Sequence, residues 1–336
     1  MLDIFNCGQG DSSRLAFERC LWNEERPLYI DLGPASFTRK IAENEIDLLI
    51  THSHCDHVSG ISIPKRVTIK TLYIPAYYPE IRKIVSHLTG RQIRLPSVQK
   101  GNIEILYERA RLDCCHIKIL NPPLDPYDIF GVDPASASGS NEYLEQFGTS
   151  VDQIIEDHGD VGDIVIPDGY EAKKFIEIAV HLISRHDKGN TVNAVNRFLE
   201  YDANKISVVF LYEHENHDGN KEIFLLTGDA DKSVFNRLIK ANKRSLKADV
   251  LKVPHHGSKH NMNYKIVKHI SPKVAIISHN NGKFGRAKDP HPNLEIINIL
   301  TKAKINTYYT NDVIKGNSSI HAGHRGIIAA SMVKIT

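Results

Sequence analysis

The 336-residue sequence lacks the features that direct a chain into or across a membrane. It has no apolar run of about eighteen residues, the length needed to span a bilayer as a helix. Residues 1–6 have neither a basic region nor a long apolar stretch, so we predict no secretory signal. The five cysteines are odd in number and two are adjacent, which is a poor framework for disulfides; they are Cys7, Cys20, Cys55, Cys114 and Cys115. We therefore expect a cytoplasmic protein without a membrane partner.

Several common catalytic signatures are also missing. The sequence has no Ser-His-Asp order, no Walker-type glycine loop and no nicotinamide-binding fingerprint. Hydrophobic residues make up 41% and charged residues 24% of the chain, which is ordinary for a globular protein. A chain of this length can bury a full core. We predict one domain over residues 1–336, with an insertion at about residues 121–200.

Charge is unevenly distributed along the chain. Residues 121–172 contain twelve Asp or Glu and no Lys or Arg, whereas residues 232–336 contain nineteen Lys or Arg and four Asp or Glu. Such asymmetry can mark a face for an anionic partner. It is equally consistent with charges that the fold spreads over a solvated surface.

The densest group of potential metal ligands is T-H-S-H-C-D-H at residues 51–57. The apolar run before it, residues 47–50, predicts a short buried strand. Alternate side chains of the following loop point the same way, so His52 and His54 can bind one ion. Asp56 and His57 lie beyond the turn and can bind a second. Because H-x-H-x-D-H is rare and rich in ligands, we favour a metal site over a polar loop, with Cys55 as a packing residue.

Two later strands also end in candidate ligands. A predicted strand at residues 223–226 leads to T-G-D-A, which places Asp229 where it can bridge two ions. A predicted strand at residues 250–253 leads to P-H-H-G-S, where His255 or His256 should complete the second site. Adjacent side chains of a strand point in opposite directions, so we expect only one of the two histidines to face the metals.

These motifs together resemble the metallo-β-lactamase superfamily, and within it the metallo-β-lactamase-like domain of the DNA-uptake competence protein family and its soluble relatives. The matching segments occur in the expected order over residues 1–120 and 200–336, and they are C-G-Q-G-D-S (7–12), I-D-L-G (30–33), H-x-H-x-D-H (52–57), L-T-G-D-A (226–230), L-K-V-P-H-H-G-S (251–258) and S-P-K-V-A-I-I-S (271–278). The resemblance implies an α/β fold, an αββα four-layer sandwich with two sheets face to face. The alternating predicted strands and helices agree with this class. The membrane-spanning parts of the competence protein are absent, so DNA uptake is not implied.

The resemblance also implies roles for single residues. It assigns His52 and His54 to the first metal site, Asp56 and His57 to the second, and Asp229 to both. Asp31 corresponds to a residue that orients the metal-binding loop. In relatives with a P-x-H segment the ligand is the second residue after proline, which favours His256, with His255 as the alternative. His255 would then line the cleft and contact a substrate oxygen.

One position departs from the family pattern. The superfamily usually supplies a third histidine to the first site, and Asn204 stands in its place. Asparagine is a weak oxygen ligand, so the first site would be looser or would favour manganese over zinc. His116, His181 and His186 are further candidates, which we interpret as surface or core residues. We thus predict two divalent ions, Zn²⁺ or Mn²⁺.

Hydrolysis is the chemistry that such a pair of ions performs well. We predict a metal-dependent hydrolase, and favour a phosphodiesterase or nuclease because the relatives include such enzymes and the last third of the chain is basic. Ser258, Lys259 and His291 lie near the ligands in sequence and could bind phosphate oxygens. His291 could alternatively protonate the leaving group, and Asp56, His255 and His291 are the candidate catalytic residues.

Two other classes of function stay open. The first is a hydrolase of amides, esters or lactones on the same fold. The second is an effector or binding module, with a protein partner at the acidic insertion. We expect the acidic part of the insertion, residues 121–168, to lie over or beside the mouth of the site, because long polar segments in compact domains are usually lids or binding segments.

Overall fold

The computed structural model describes residues 2–7, 10–16, 26–34, 38, 41–58, 64, 66–98, 102–110, 112, 116–157, 164–215, 219–241, 246–279, 284–286, 289–310, 313–315, 318–320 and 332–335. The strands of these residues are, in chain order, β1 (Leu2–Phe5), β2 (Ser13–Leu15), β3 (Leu28–Ile30), β4 (Glu45–Leu49), β5 (Thr68–Pro75), β6 (Asn102–Leu106), β7 (Ile117–Asn121), β8 (Ile164–Val165), β9 (Val209–Glu215), β10 (Lys221–Leu226), β11 (Val250–Lys252), β12 (Val274–Ile277), β13 (Phe284–Arg286), β14 (Asp289–His291), β15 (Asn306–Tyr309), β16 (Val313–Lys315), β17 (Ser318–Ile320) and β18 (Met332–Ile335). The α-helices are α1 (Cys55–Val58), α2 (Tyr78–Thr89), α3 (Pro126–Phe130), α4 (Ser140–Glu145), α5 (Val151–Glu156), α6 (Ala172–His186), α7 (Thr191–Arg197), α8 (Lys232–Ala241), α9 (Tyr264–Ile270) and α10 (Leu294–Lys302).

The strands form two large sheets. The first has the order β18-β1-β2-β3-β4-β5-β6-β8, and the second has the order β15-β12-β11-β10-β9-β7. Strands β3 to β6 run parallel, as do β10, β11, β12 and β15. Two hairpins, β13-β14 and β16-β17, stand apart from the sheets.

The sheets pack face to face because their strands alternate between two apolar environments. Leu49 of β4 and Ile276 of β12 belong to one buried cluster, which takes side chains from both sheets and forms the layer between them. Their chain neighbours Leu48 and Ile50 point to the opposite face of the first sheet, and Ile277 to the opposite face of the second. Both faces are therefore apolar, as expected for parallel strands that are covered on both sides.

Helices cover the two outer faces. The outer face of the first sheet packs against α2, α6 and α7, and that of the second packs against α8, α9 and α10. The order of layers is helix, sheet, sheet, helix, and the predicted αββα sandwich is confirmed. Among the described residues, no helix has the length and apolar character that a membrane crossing requires.

The insertion is more ordered than its sequence suggested. The weak hydrophobic periodicity of residues 121–168 predicts a partly irregular segment, but the described residues of this range form α3, α4, α5 and the short strand β8, and Asp125 and Ser150 cap two of these helices. Their apolar side chains surround α6 and join the core cluster of the first sheet. The periodicity is weak because the helices are short and each buries only two or three residues.

One strand begins later than its sequence suggests. The apolar run at residues 206–211 predicts a strand from Ile206, but the strand begins at Val209, because residues 203–206 form a 3-10 turn before it. The sequence also predicts a last strand at residues 326–333, which lies mostly outside the described residues; they contain only its end, within β18.

The aromatic contacts of α6 generate a stability prediction. Phe175 is fully buried, and its ring stacks on Tyr77 at 4.3 Å between centroids and lies 5.5 Å from Phe130. Phe175→Ala should lower the free energy of unfolding by about 3–5 kcal/mol, since it leaves a large cavity in the shared core. Tyr127→Ala, at a 47%-exposed position of the same insertion, is the control and should change it by less than about 0.5 kcal/mol. Denaturant titration measures both, and equal small effects would mean that the insertion does not share the core.

Candidate metal centre

The candidate ligands all follow the carboxyl ends of neighbouring strands. Strand β3 leads to Asp31, β4 to the segment at residues 51–58, β10 to Asp229, and β11 to the histidine pair. Parallel strands end at the same edge of a sheet, where α/β proteins place their ligand sites. The fold thus collects groups from four distant parts of the chain at one edge.

Asp229 lies at the centre of this edge and is fully buried. Its Oδ2 is 3.5 Å from His52 Nε2 and 4.0 Å from His54 Nδ1, and its Oδ1 is 3.4 Å from His57 Nε2. Both carboxylate oxygens and the Nε2 atoms of His52 and His57 have no hydrogen-bond partner among the described residues. Burying polar atoms in this way is costly unless something else satisfies them.

The spacing of these atoms fits a shared cation. Two ligands bonded at 2.0–2.1 Å to a tetrahedral ion lie about 3.3 Å apart. The separations around Asp229 are near this value and longer than an ordinary N–H···O hydrogen bond. His52, His54 and Asp229 form one group whose ligand atoms are all within 4.8 Å of one another. The residues present therefore fit a divalent metal ion.

A second group lies beside the first. Asp56, His57 and His256 also have ligand atoms within 4.8 Å of one another, and His256 Nε2 is 3.2 Å from Asp56 Oδ2. Asp56 and His57 reach this position because α1 begins directly after His54 and turns them away from the extended loop. His57 Nε2 faces Asp229 Oδ1, so the same aspartate borders both groups.

The histidine pair corrects one sequence expectation. Alternation along a strand predicted that only one ring would face the site, but residues 255–257 form a 3-10 turn. His255 and His256 have φ of 47° and 52°, in the left-handed region that side chains rarely occupy. Both rings therefore reach the site, with His255 Nε2 3.7 Å from Asp229 Oδ2. The expectation that one ring points away is wrong, because the strand has already ended at Lys252.

Outer partners fix the orientation of the rings. Asp31 Oδ2 accepts from His57 Nδ1 at 2.7 Å and from Thr51 Oγ1 at 2.7 Å, and its Oδ1 accepts from the Thr51 amide at 2.8 Å. His54 Nε2 donates to the Leu199 carbonyl at 2.6 Å, and His256 Nδ1 donates to the Ser278 carbonyl at 2.9 Å. Each bond puts a proton on the outer nitrogen and leaves the inner nitrogen free to bind a metal.

The structure adds residues that sequence reasoning missed. Asp11 forms a third group with His57 and Asp229, and the buried Lys252 Nζ donates to Asp11 Oδ2. The sequence features that could have indicated them are the aspartate of the G-Q-G-D segment, which is Asp11, and a lysine at an apolar strand end, which is Lys252. Leu199 had no sequence signal, since it acts through its backbone carbonyl in the π-helical turn Phe198–Asp202.

Burial and charge set the protonation of these groups. Burial lowers the pKa of His52 to about 3, so its imidazole is neutral, the form that binds metals. For His256, burial opposes the charged form, but the carboxylates of Asp56, Asp11 and Asp229 outweigh it and raise the pKa to about 9. Burial likewise opposes the charge of Asp229, yet the surrounding histidines hold the pKa of its carboxyl well below the usual range. Asp229 is thus ionised and His52 is neutral, the forms in which a carboxylate and an imidazole bind a metal ion.

The other predicted residues lie at varying distances from this centre. The buried His291 packs edge-on against His255, with 5.0 Å between ring centroids. Ser258 is buried and accepts from the His260 amide, and Lys259 follows it, partly exposed. Asn204 is buried and donates to the Glu200 carbonyl at 3.1 Å. Among the described residues, none of the metal-type groups includes the three further candidates His116, His181 and His186.

Asp31 gives the first prediction for the centre. Asp31→Asn should weaken metal binding by about 10- to 100-fold, the range typical of partners that orient a ligating histidine. Asparagine has one acceptor oxygen in place of two, so its NH₂ group would face a donor of His57 or Thr51 from which the carboxylate now accepts. Competition with a chromophoric chelator measures the affinity. Asp231→Asn is the matched control, because Asp231 caps α8 through the Ser233 amide and asparagine caps equally well.

Gly10 gives the second prediction for the metal centre. Its φ is +114°, and a Cβ there would overlap the Asp56 carbonyl, which belongs to the metal-binding loop. Gly10→Ala should displace that loop, weaken metal binding and lower the Tm of the metal-loaded protein. Gly139→Ala is the control, since nothing lies within 4 Å of its Cβ position. Unchanged metal affinity in Gly10→Ala would show that the loop tolerates the shift.

Comparisons with known proteins found similarity to part of one curated protein and to solved structures at low sequence identity. No protein-family model matches the chain. Among curated proteins, ComE operon protein 3 of Bacillus subtilis (strain 168) is 36% identical over 87 residues, which are 26% of this chain and 11% of that protein. The matched segment thus spans about a tenth of that relative.

Two solved structures are similar at low sequence identity. Metallo-β-lactamase MIM-1 from Novosphingobium pentaromativorans aligns over 80% of each chain, with a TM-score of 0.35 and 10% identity. A long form RNase Z from yeast aligns over 84% of this chain and 36% of its own, with a TM-score of 0.39 and 12% identity. The two facing sheets, their helical outer layers and the histidine- and aspartate-rich loops at the strand ends give this chain a metallo-β-lactamase-type fold.

Proposed function

We propose that the protein is a metal-dependent hydrolase that cleaves phosphodiesters, as a phosphodiesterase or nuclease. The observation that carries the proposal is the buried Asp229, whose two oxygens face two different groups of nitrogen and oxygen ligands. This arrangement suits a pair of divalent ions that share one carboxylate. Zinc and manganese both accept such donors.

Two ions held there would activate a water molecule and neutralise charge on the attacked group. The chain itself supplies the fixed geometry. His57 and His54 are held through their outer nitrogens by Asp31 and the Leu199 carbonyl, so their inner nitrogens need no reorganisation. Lys252, which pairs with Asp11, places a buried positive charge next to the carboxylates, and this charge offsets part of their mutual repulsion.

His291 is the proposed proton donor to the leaving oxygen. Its buried ring lies against His255 at the edge of the centre, close to the ligands but in neither group of metal-type side chains among the described residues. The leaving group of a phosphodiester departs as an alkoxide unless its oxygen is protonated, so a nearby acid speeds its departure. Ser258 and Lys259 follow the histidine pair after Gly257 and are the proposed contacts for the phosphate oxygens.

The phosphodiester is favoured over an amide or lactone by charge. Two bound divalent ions would offset the negative charge of Asp11, Asp31, Asp56 and Asp229, and they would attract an anionic phosphodiester more strongly than a neutral amide or lactone. The basic final third of the chain, with nineteen Lys or Arg against four Asp or Glu, adds a source of phosphate contacts. The sequence resemblance to phosphodiesterases and nucleases points the same way.

A turnover panel tests the proposal. The zinc- and manganese-loaded protein is assayed on bis-p-nitrophenyl phosphate, linear DNA, RNA, cyclic dinucleotides, a chromogenic cephalosporin and a lactone. We expect phosphodiester cleavage that a chelator stops and added metal restores. Asp229→Ala should fall to the rate of the chelator-treated protein, and Asp56→Ala and His57→Ala should lose most activity. Asp152→Asn, at an exposed position of the insertion, should keep it.

Other outcomes would identify the competing functions. Cleavage of the cephalosporin or lactone without phosphodiester cleavage would indicate the amide, ester or lactone class. Metal binding without turnover of any substrate would indicate a binding or effector module. Full activity in Asp229→Ala would contradict the shared-carboxylate site.

A further inference from the structure

Three imidazole nitrogens surround a single oxygen of Asp229. Its Oδ2 lies 3.5 Å from His52 Nε2, 4.0 Å from His54 Nδ1 and 3.7 Å from His255 Nε2. Its Oδ1 instead faces His57, which belongs to the other group. His255 therefore faces the same oxygen as His52 and His54, although it is adjacent in sequence to His256 on the opposite side. Among the described residues, the group of ligand atoms within 4.8 Å of one another consists of His52, His54 and Asp229, and His255 lies outside it.

The backbone conformation of His255 and His256 explains why their rings face different groups of ligands. His255 and His256 both have left-handed φ, a conformation that is unfavourable for a residue with a side chain and persists only where the surroundings impose it. With extended backbone, one ring would point away from the site. With two successive left-handed residues, one ring faces Asp229 Oδ2 and the other faces Asp56.

Asn204, the residue at the usual position of the third histidine, is occupied elsewhere. Its Nδ2 donates to the Glu200 carbonyl at 3.1 Å, and its own carbonyl accepts from the Ser207 amide at 3.1 Å. Its Oδ1 is buried without a hydrogen-bond partner among the described residues, so it is the competing candidate. An amide oxygen is a weaker ligand for zinc than an imidazole nitrogen.

We propose that His255 replaces the missing third histidine and binds the first metal ion together with His52, His54 and Asp229. This inference rests on the proposed metal-dependent function, which it deepens by assigning the two neighbouring histidines to different ions. Three imidazoles and one carboxylate form a nitrogen-rich set, which favours zinc over manganese at the first site. His255 is then a metal ligand and not a substrate contact.

Metal content measured without substrate tests the assignment. The full chain is loaded with zinc, desalted and analysed for bound metal, and each affinity is measured by chelator competition. Wild type should keep two ions. His255→Gly, which removes the ring and relieves the left-handed strain, should keep one ion and bind the other more than about 100-fold more weakly, beyond the 10- to 100-fold typical of an outer partner. Asn204→Ala should keep two ions.

Chemical rescue separates a ligand from a structural residue. Free imidazole should restore the lost first-site ion to His255→Gly, because it can enter the space of the missing ring. It should leave the metal content of wild type unchanged. The Tm of chelator-treated His255→Gly should match that of chelator-treated wild type. If glycine lowers it, His255→Asn replaces it, since asparagine tolerates the left-handed region.

Two results would overturn the assignment. The first is two tightly held ions in His255→Gly, and one ion in Asn204→Ala would then point to Asn204 as the ligand. The second is fewer than two ions in wild type. Failure of the proposed function is a separate outcome. A wild-type chain that keeps two ions but cleaves no phosphodiester would contradict the proposed function, and the metal content of His255→Gly would still test the ligand assignment.

Discussion

The buried carboxylate of Asp229 is the constraint on which the rest of the site depends. A charge removed from water is costly unless partners of opposite charge or a metal ion compensate it. Here the imidazole nitrogens of His52, His54, His57 and His255 face the two oxygens. The rings of His52, His54 and His57 are held from behind by a hydroxyl, a carbonyl and a carboxylate, respectively. The surroundings of Asp229 are thus organised in two shells, with nitrogen inside and oxygen outside.

The two-sheet fold brings together side chains that are far apart in the sequence. His256 and Asp56 are 200 residues apart in sequence, yet their side chains are 3.2 Å apart. They meet because β4 belongs to the first sheet and β11 to the second, and both end at the same edge of the sandwich. The apolar layer between the sheets sets the distance across which ligands from the two sides must meet.

The insertion is part of the centre as well as of the core. Its helices share the apolar cluster of the first sheet, and its final turn presents the Leu199 carbonyl to His54. A π-helical turn at this point agrees with the frequent occurrence of such turns at functional sites. Removing the whole segment would therefore disturb both the core and a metal ligand, so its effect on substrate access is better studied through its exposed carboxylates.

The sequence alone determined the class of fold and most of the candidate ligands. H-x-H-x-D-H after an apolar run, and Asp229 after another, are local patterns whose meaning depends on residue type and short spacing. The tertiary structure decided what depends on long-range geometry or on the backbone. Asp11, Lys252 and the Leu199 carbonyl join the centre through contacts between residues that are far apart in sequence, and no local pattern predicts those contacts. The pair His255 and His256 shows the difference most clearly, because alternation is a rule for strands, and the turn that brings both rings inward arises from how the loop packs at the sheet edge.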